Sequence, residues 1–226
     1  MYTNHESSSV VLTLSEPGGE PIQRSARIWF KSRGQGDSRI LMRFTAPAEM
    51  RGTAFLSIRD SGEAGADQWL YFPAYRKARR LSARNRDEPF LDSDFSNGDV
   101  SFEYERDFNF KVIGTQVWAG QDVYVLEGRV LRKRDGVDVP YSREVLYIRR
   151  SDRLNVRSEF YGKDGALTKV LSVLSWKRYG SRWAADRVEI ENVSTHHRST
   201  LEFRSRDMTT IPAAGLFTLA DLESGR

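Results

Sequence analysis

The stretch Asp67-Gln68-Trp69-Leu70-Tyr71-Phe72-Pro73-Ala74-Tyr75-Arg76-Lys77-Ala78-Arg79-Arg80-Leu81 decides the fold. Residues 68–72 are apolar at both alternating parities, which predicts a strand buried on two sides. Pro73-Ala74 turns the chain. Residues 76–82 then read as a basic strand, with Arg76, Ala78 and Arg80 on one face and Lys77, Arg79 and Leu81 on the other. The same period of two recurs on either side of this unit.

Upstream, residues 10–14, 26–31, 39–45 and 53–59 alternate. In the third of these Ile40, Met42 and Phe44 share a face opposite Leu41, Arg43 and Thr45. Downstream, residues 109–118 and 122–131 flank Ala119-Gly120, and a charged turn at 132–140 carries Gly136 and Pro140. Residues 142–150, 153–161, 166–176, 182–193 and 199–206 follow, with a hairpin signal at Gly162-Lys163-Asp164-Gly165. A short helix fits near 97–104, and the tail from Ile211 to Leu222 is mildly amphipathic. About ten or eleven strands are expected, with no long amphipathic helix, so a mainly β, strongly curved antiparallel sheet is expected and a parallel βαβ sheet is not. No linker or fixed-period repeat interrupts the 226 residues, which read as one domain.

Composition narrows the function. The chain has no cysteine, which excludes a disulfide scaffold, a thiolate metal site and a thiol nucleophile. Aromatics make up 12%, with 12 Phe and 9 Tyr, which argues against disorder. The net charge of +4 is the small difference between 35 cations and 31 anions interspersed along the chain, which describes a solvated surface of mixed sign. No apolar run approaches a membrane span. The opening Met1-Tyr2-Thr3-Asn4-His5-Glu6 is polar, so a signal peptide is expected to lie outside this sequence.

Catalytic patterns are weak. Of the three histidines, His5 is near a terminus, and His196-His197 are neighbours that point to opposite faces, placed in an exposed turn rather than on a metal. Asp87, Glu88, Asp92, Asp94 and Asp99 form an acidic loop without the glycine and bidentate glutamate of a calcium loop, and read as caps and ion-pair partners. Paired carboxylates for glycoside chemistry stay open as a third reading. The cations Arg76, Lys77, Arg79 and Arg80, followed by Arg84 and Arg86, split between faces, so nucleic acid is not expected as a partner. Large apolar side chains at Met42, Phe44, Leu56, Ile58, Trp69, Tyr71, Leu146, Ile148, Leu171 and Val173 either fill a core or line a cavity for an apolar ligand.

Three blocks carry a family resemblance. Ala46-Pro47-Ala48-Glu49-Met50-Arg51-Gly52-Thr53-Ala54-Phe55-Leu56, the stretch from Asp67 to Leu81, and Ser93-Asp94-Phe95-Ser96 with Asp99 resemble the corresponding blocks of bacterial outer-membrane lipoprotein-sorting (LolA-like) proteins. Phe217-Thr218 and Leu222 are similar to that family's closing pattern. Asp92 stands where the family usually has glycine, and Asn97-Gly98 replace a common Tyr-Glu pair. The helix that precedes the family's first strand is absent from this sequence.

The resemblance implies an incomplete antiparallel β-barrel, lidded by short helices over its concave face, working in the periplasm as a monomeric, non-enzymatic carrier without cofactor or metal. The ten apolar residues named above would supply the lining of its acyl-chain cavity, a set that includes both parities because the sequence does not fix which one faces inward on each strand. Arg76, Lys77, Arg79 and Arg80, with Phe90 and Phe95, would form the entrance or a docking surface. Implied partners are lipid or lipoprotein acyl chains and an RND- or MMPL-type inner-membrane transporter or an outer-membrane acceptor. The absence of cysteine argues against a lipid-anchored form. The alternative is an accessory subunit of a transport complex that binds protein and no lipid.

Overall fold

A computed structural model describes residues 4–34, 36–61, 65–82, 85, 87–101, 108–130 and 141–225. Among the described residues thirteen strands run in chain order: β1 (Asn4–Ser15), β2 (Ile22–Gly34), β3 (Asp37–Ala46), β4 (Ala54–Arg59), β5 (Asp67–Phe72), β6 (Lys77–Leu81), β7 (Phe108–Trp118), β8 (Gln121–Val130), β9 (Arg143–Arg149), β10 (Asn155–Tyr161), β11 (Leu167–Tyr179), β12 (Arg182–Asn192) and β13 (Arg198–Asp207). They join one sheet in the order β6-β5-β4-β3-β2-β1-β13-β12-β11-β10-β9-β8-β7. Every pairing with a described register is antiparallel. The order is linear, and its two ends are β6 and β7.

The strand count exceeds the ten or eleven expected, because each alternating segment of the sequence becomes a strand of its own. The expected helical lid shrinks to one short helix among the described residues, α1 (Leu219–Ser224), with 3-10 turns at Asp99–Ser101 and Ala214–Leu216. The short helix expected near 97–104 is represented by the first of these turns, and residues 102–107 lie outside the described part. So do Arg84, Arg86 and the charged turn at 132–140.

Turn chemistry explains the hairpins. Ala119 and Gly120 both take positive φ (48° and 76°) between the paired Trp118 and Gln121, as a two-residue loop matched to strand twist requires. The β3–β4 connection closes through Phe44 N–H to the Thr53 carbonyl and Gly52 N–H to the Phe44 carbonyl, each at 2.9 Å. Gly52 sits at φ 83°, and a Cβ there would stand 3.0 Å from the Pro73 ring. Glycine is therefore required twice over in the Arg51-Gly52-Thr53 block.

The chain divides into two compact units: Met1–Thr13, Ile22–Asn85 and Leu201–Arg226 form the first; Leu14–Pro21 and Arg86–Thr200 form the second. The core of the first centres on Leu41, Ala54, Leu56, Tyr71, Phe217 and Leu222. In the second, Val123, Val125 and Val145 pack with Trp118, Tyr147, Val156 and Tyr161.

Candidate functional site

In the first unit the register sorts the candidate residues onto two faces. Leu41 pairs with Leu56 and Leu56 with Trp69; Arg43 pairs with Ala54 and Ala54 with Tyr71; Arg39 pairs with Ile58. Directly paired residues share a face, so Leu56, Ile58, Trp69 and Tyr71 lie together with Leu41 and Arg43. Met42, paired with Phe55, and Phe44, two residues on, point to the other face, where both are buried. The six cavity candidates in this part of the chain, drawn from both parities, are thereby sorted onto opposite sides of the sheet. A strand flanked on both sides has no polar parity to reveal which face is which.

The face of Leu56 and Tyr71 is roofed by the chain's own C-terminal segment. Phe217 and Leu222 complete its core cluster, with Leu216 packed alongside. The Lys31 ammonium stands 4.7 Å from the Phe217 ring centroid. The Glu223 carboxylate accepts the Ala78 amide of β6 at 2.8 Å. Thr218 caps α1 by accepting the Asp221 amide at 3.1 Å. Arg43 Nη2 donates to both the Asp221 carboxylate (3.0 Å) and its carbonyl (3.1 Å). That side chain is 8% exposed, and its Nε and Nη1 have no hydrogen-bond partner among the described residues. The sequence places Arg43 on a face with Leu41 and Thr45 but assigns it no role. The signal was a cation set inside Ile40-Leu41-Met42-Arg43-Phe44, where solvent is not available.

In the second unit, Leu126 pairs with Leu146, Ser158 with Leu171, and Leu171 with Ile190; Tyr124 pairs with Ile148, and Val173 with Val188. Leu146 pairs in turn with Ser158. Leu146, Ile148, Leu171 and Val173 thus share one face and are half-buried; the buried Ser158 of β10 stands between Leu146 and Leu171, and the fully buried Ile190 follows Leu171 on β12. The opposite face carries a polar network. Arg157 stacks over Trp118 at 4.5 Å, Arg143 lies over Tyr161 at 3.5 Å, and Glu159 accepts the hydroxyls of Tyr147 (3.1 Å) and Tyr161 (2.9 Å). Burial, then the Glu159 charge, push the Tyr147 hydroxyl up. At the β8–β9 end a depression of about 490 Å³ is lined by Gln121, Asp122, Tyr124, Arg149, Arg150 and Ser151. Every residue of that lining carries a polar group, and the depression lies open to solvent, which does not suit an alkyl chain.

The loop 87–101 is fastened to this unit through Asp94. Its carboxylate Oδ2 accepts the Ser199 hydroxyl at 2.7 Å and meets His197 Nδ1 at 2.5 Å, its amide donates to Ser199 Oγ at 2.8 Å, and its carbonyl accepts Lys169 Nζ at 2.7 Å. Phe90 and Phe95, expected at an entrance, are buried within the loop, with Phe90 N–H bonded to the Phe95 carbonyl at 2.7 Å. They anchor the loop and form no open rim. His197, expected in an exposed turn, is drawn in by Asp94, while its neighbour His196 stays out, bonded to Glu191 at 3.1 Å.

Asp94, His197 and Ser199 are the residue types of a hydrolytic triad, but their wiring is different. A nucleophilic serine gives its proton to the histidine; here Ser199 is fully buried and donates to the carboxylate. The group is a fastening. Asp99, further along the loop, accepts the Ser96 amide at 2.8 Å. Burial pushes its carboxyl up, while Lys169, Ser96 and Tyr141 pull it down.

The basic cluster lies at one end of the sheet order. Arg76 occupies the turn at φ 47°, and Lys77, Arg79 and Arg80 on β6 are exposed, with Arg80 paired to Asp67. Tyr75 is 78% exposed against the edge of Phe72.

Comparison with known proteins agrees with this architecture. A family model described only as an uncharacterized protein matches residues 36–224. A putative outer-membrane lipoprotein-sorting protein domain from Vibrio parahaemolyticus is 27% identical, with a TM-score of 0.88 over 97% of this chain and 92% of that one. The chain belongs to that uncharacterized family, and in sequence and fold it is similar to LolA-like lipoprotein-sorting proteins. A DUF1329 family protein from Desulfovibrio piger ATCC 29098 is 25% identical, with a TM-score of 0.89 over the same shares of the two chains. The LolA superfamily protein NE2245 from Nitrosomonas europaea shares the LolA-like fold at 22% identity, with a TM-score of 0.72 over 95% of this chain and 90% of that one. Among curated proteins no match is found. No described helix is long and apolar enough to cross a membrane.

Proposed function

We propose that this chain, as a single LolA-like domain over residues 1–226, is a non-enzymatic periplasmic carrier that shelters the acyl chains of a lipid or lipoprotein and passes them to a membrane partner. An RND- or MMPL-type transporter or an outer-membrane acceptor would fill that role. The observation that carries this reading is the half-buried face of Leu126, Leu146, Ile148, Leu171 and Val173 in a fold shared with a lipoprotein-sorting domain. Covering each CH₂ of a bound chain contributes about 0.8 kcal/mol, so one long chain binds firmly without covalent chemistry. Leu56, Ile58, Trp69 and Tyr71 offer a second apolar surface beneath the C-terminal segment. The exposed cations of β6 suit the docking role.

Native mass spectrometry of gently purified protein tests the reading. Co-purified species of lipid mass, released on denaturation, are expected. A protein that is empty after gentle purification and fails to take lipid from vesicles sinks it. The accessory-subunit reading, favoured by the exposed Tyr75 and the cations beside it, would then take its place.

A further inference from the structure

We infer that Arg43 is the receptor for the anionic headgroup of an alkyl ligand, and that the C-terminal segment, with Asp221 as an internal stand-in for that headgroup, occupies the site when no ligand is bound. The inference deepens the carrier reading and rests on it.

A guanidinium placed in an apolar core costs a great deal unless its donors are met. Arg43 is set in the middle of β3 on the face of Leu41, Ala54, Leu56 and Tyr71, and only Nη2 is satisfied, by two acceptors of one residue. Nε and Nη1 are enclosed and unmet. A carboxylate or phosphate engages a guanidinium through two parallel bonds, so an anion with free access would satisfy donors that Asp221 leaves idle.

The surroundings match the rest of such a ligand. In the segment that carries Asp221, Phe217 and Leu222 pack on Leu41, Ala54, Leu56 and Tyr71, and apolar groups beside one carboxylate are the chemical outline of an amphiphile with a single anionic head. The segment that supplies them is short. One helix of six residues, one 3-10 turn, the Arg43–Asp221 pair and the Ala78–Glu223 bond hold it. A helix of this length has little stability of its own. The class of ligand is therefore a fatty carboxylate or an alkyl phosphate ester, bound head to Arg43 and chain along Leu56, Trp69 and Tyr71.

Calorimetric titration of the full chain with dodecyl phosphate, dodecanoate, dodecanol and inorganic phosphate tests this. Tryptophan fluorescence follows the same titrations, since Trp29 and Trp69 pack on the cluster. Dodecyl phosphate and dodecanoate are expected to bind about ten-fold more tightly than dodecanol, as a charge-assisted hydrogen-bond pair allows. Arg43→Met is expected to bring the ratio close to one. Asp221→Asn, which keeps the shape of the roof but weakens the competitor, is expected to tighten the anionic ligands several-fold and leave dodecanol unchanged; it keeps the test open if the Arg43 variant fails to fold. Equal binding of dodecanol and the anions, with no effect of Asp221→Asn, overturns the headgroup site while leaving the carrier reading intact. Inorganic phosphate binding as tightly as dodecyl phosphate makes this a free-anion site and overturns the inference. No binding of any alkyl probe overturns both.

Discussion

The fold holds the charged form of Asp99 at a disadvantage. Burial raises its carboxyl above the ordinary value of 3.8, and Lys169, Ser96 and Tyr141 offset this only in part. The native state thus binds this proton more tightly than the unfolded chain does. The Asp99 contribution to stability is greatest below the ordinary value and falls as pH rises through the raised one. An amide at this position still accepts the Ser96 N–H but does not titrate. The melting temperature of Asp99→Asn relative to the parent is expected to rise between about pH 4 and about pH 8. A difference that stays flat or falls over that interval refutes it. The Asp94 fastening shows what residue-level reading misses. Asp94 and Lys169 are distant in sequence from each other and from the neighbouring pair His197 and Ser199, and no spacing rule connects them.

At the scale of elements, α1 and the turn before it act as one apolar lining held by a few polar ties. Leu222 is fully buried, so Leu222→Ala is expected to lower unfolding stability by about 2 kcal/mol or more. The midpoint of denaturant unfolding measures it, and a shift below about 0.5 kcal/mol would mean that the segment is only loosely seated. The strands were readable from the period of two, and the amphipathic tail at 211–222 was visible too. The target of that tail was not. Its partners Leu41, Leu56 and Tyr71 are set by pairing register, which the Gly52 turn fixes. The same register separates Met42 and Phe44 from Leu56, because Leu41 rather than Met42 faces Leu56 across the ladder. A shift of one residue would have exchanged the two faces.

For the molecule as a whole, family and strand architecture were legible because the Pro47–Leu56 and Asp67–Leu81 blocks encode a strand pair and its turns locally. The division of labour between surfaces was not legible, because it depends on thirteen strands meeting in one order. Leu171 shares the face of Leu146, Ile148 and Val173 and is only half-buried, so it accepts a charge without a core defect. Leu171→Glu is expected to fold normally and to lose most co-purified lipid in native mass spectra, since a carboxylate beside an alkyl chain is poorly solvated. Unchanged lipid content would place the chain elsewhere.

The bond from Ala78 N–H to Glu223 has a further consequence for β6, which ends the sheet order. An end strand offers its unpaired backbone to any extended segment that approaches, and charged side chains are the usual guard. Here the same residues that cover the apolar face also occupy one of the edge's amide donors. Lifting the C-terminal segment therefore uncovers an oily surface and frees a peptide-bond docking position in a single movement. Occupied and vacant forms of the protein would present different edges to a neighbour, and a membrane partner could tell them apart by strand addition alone.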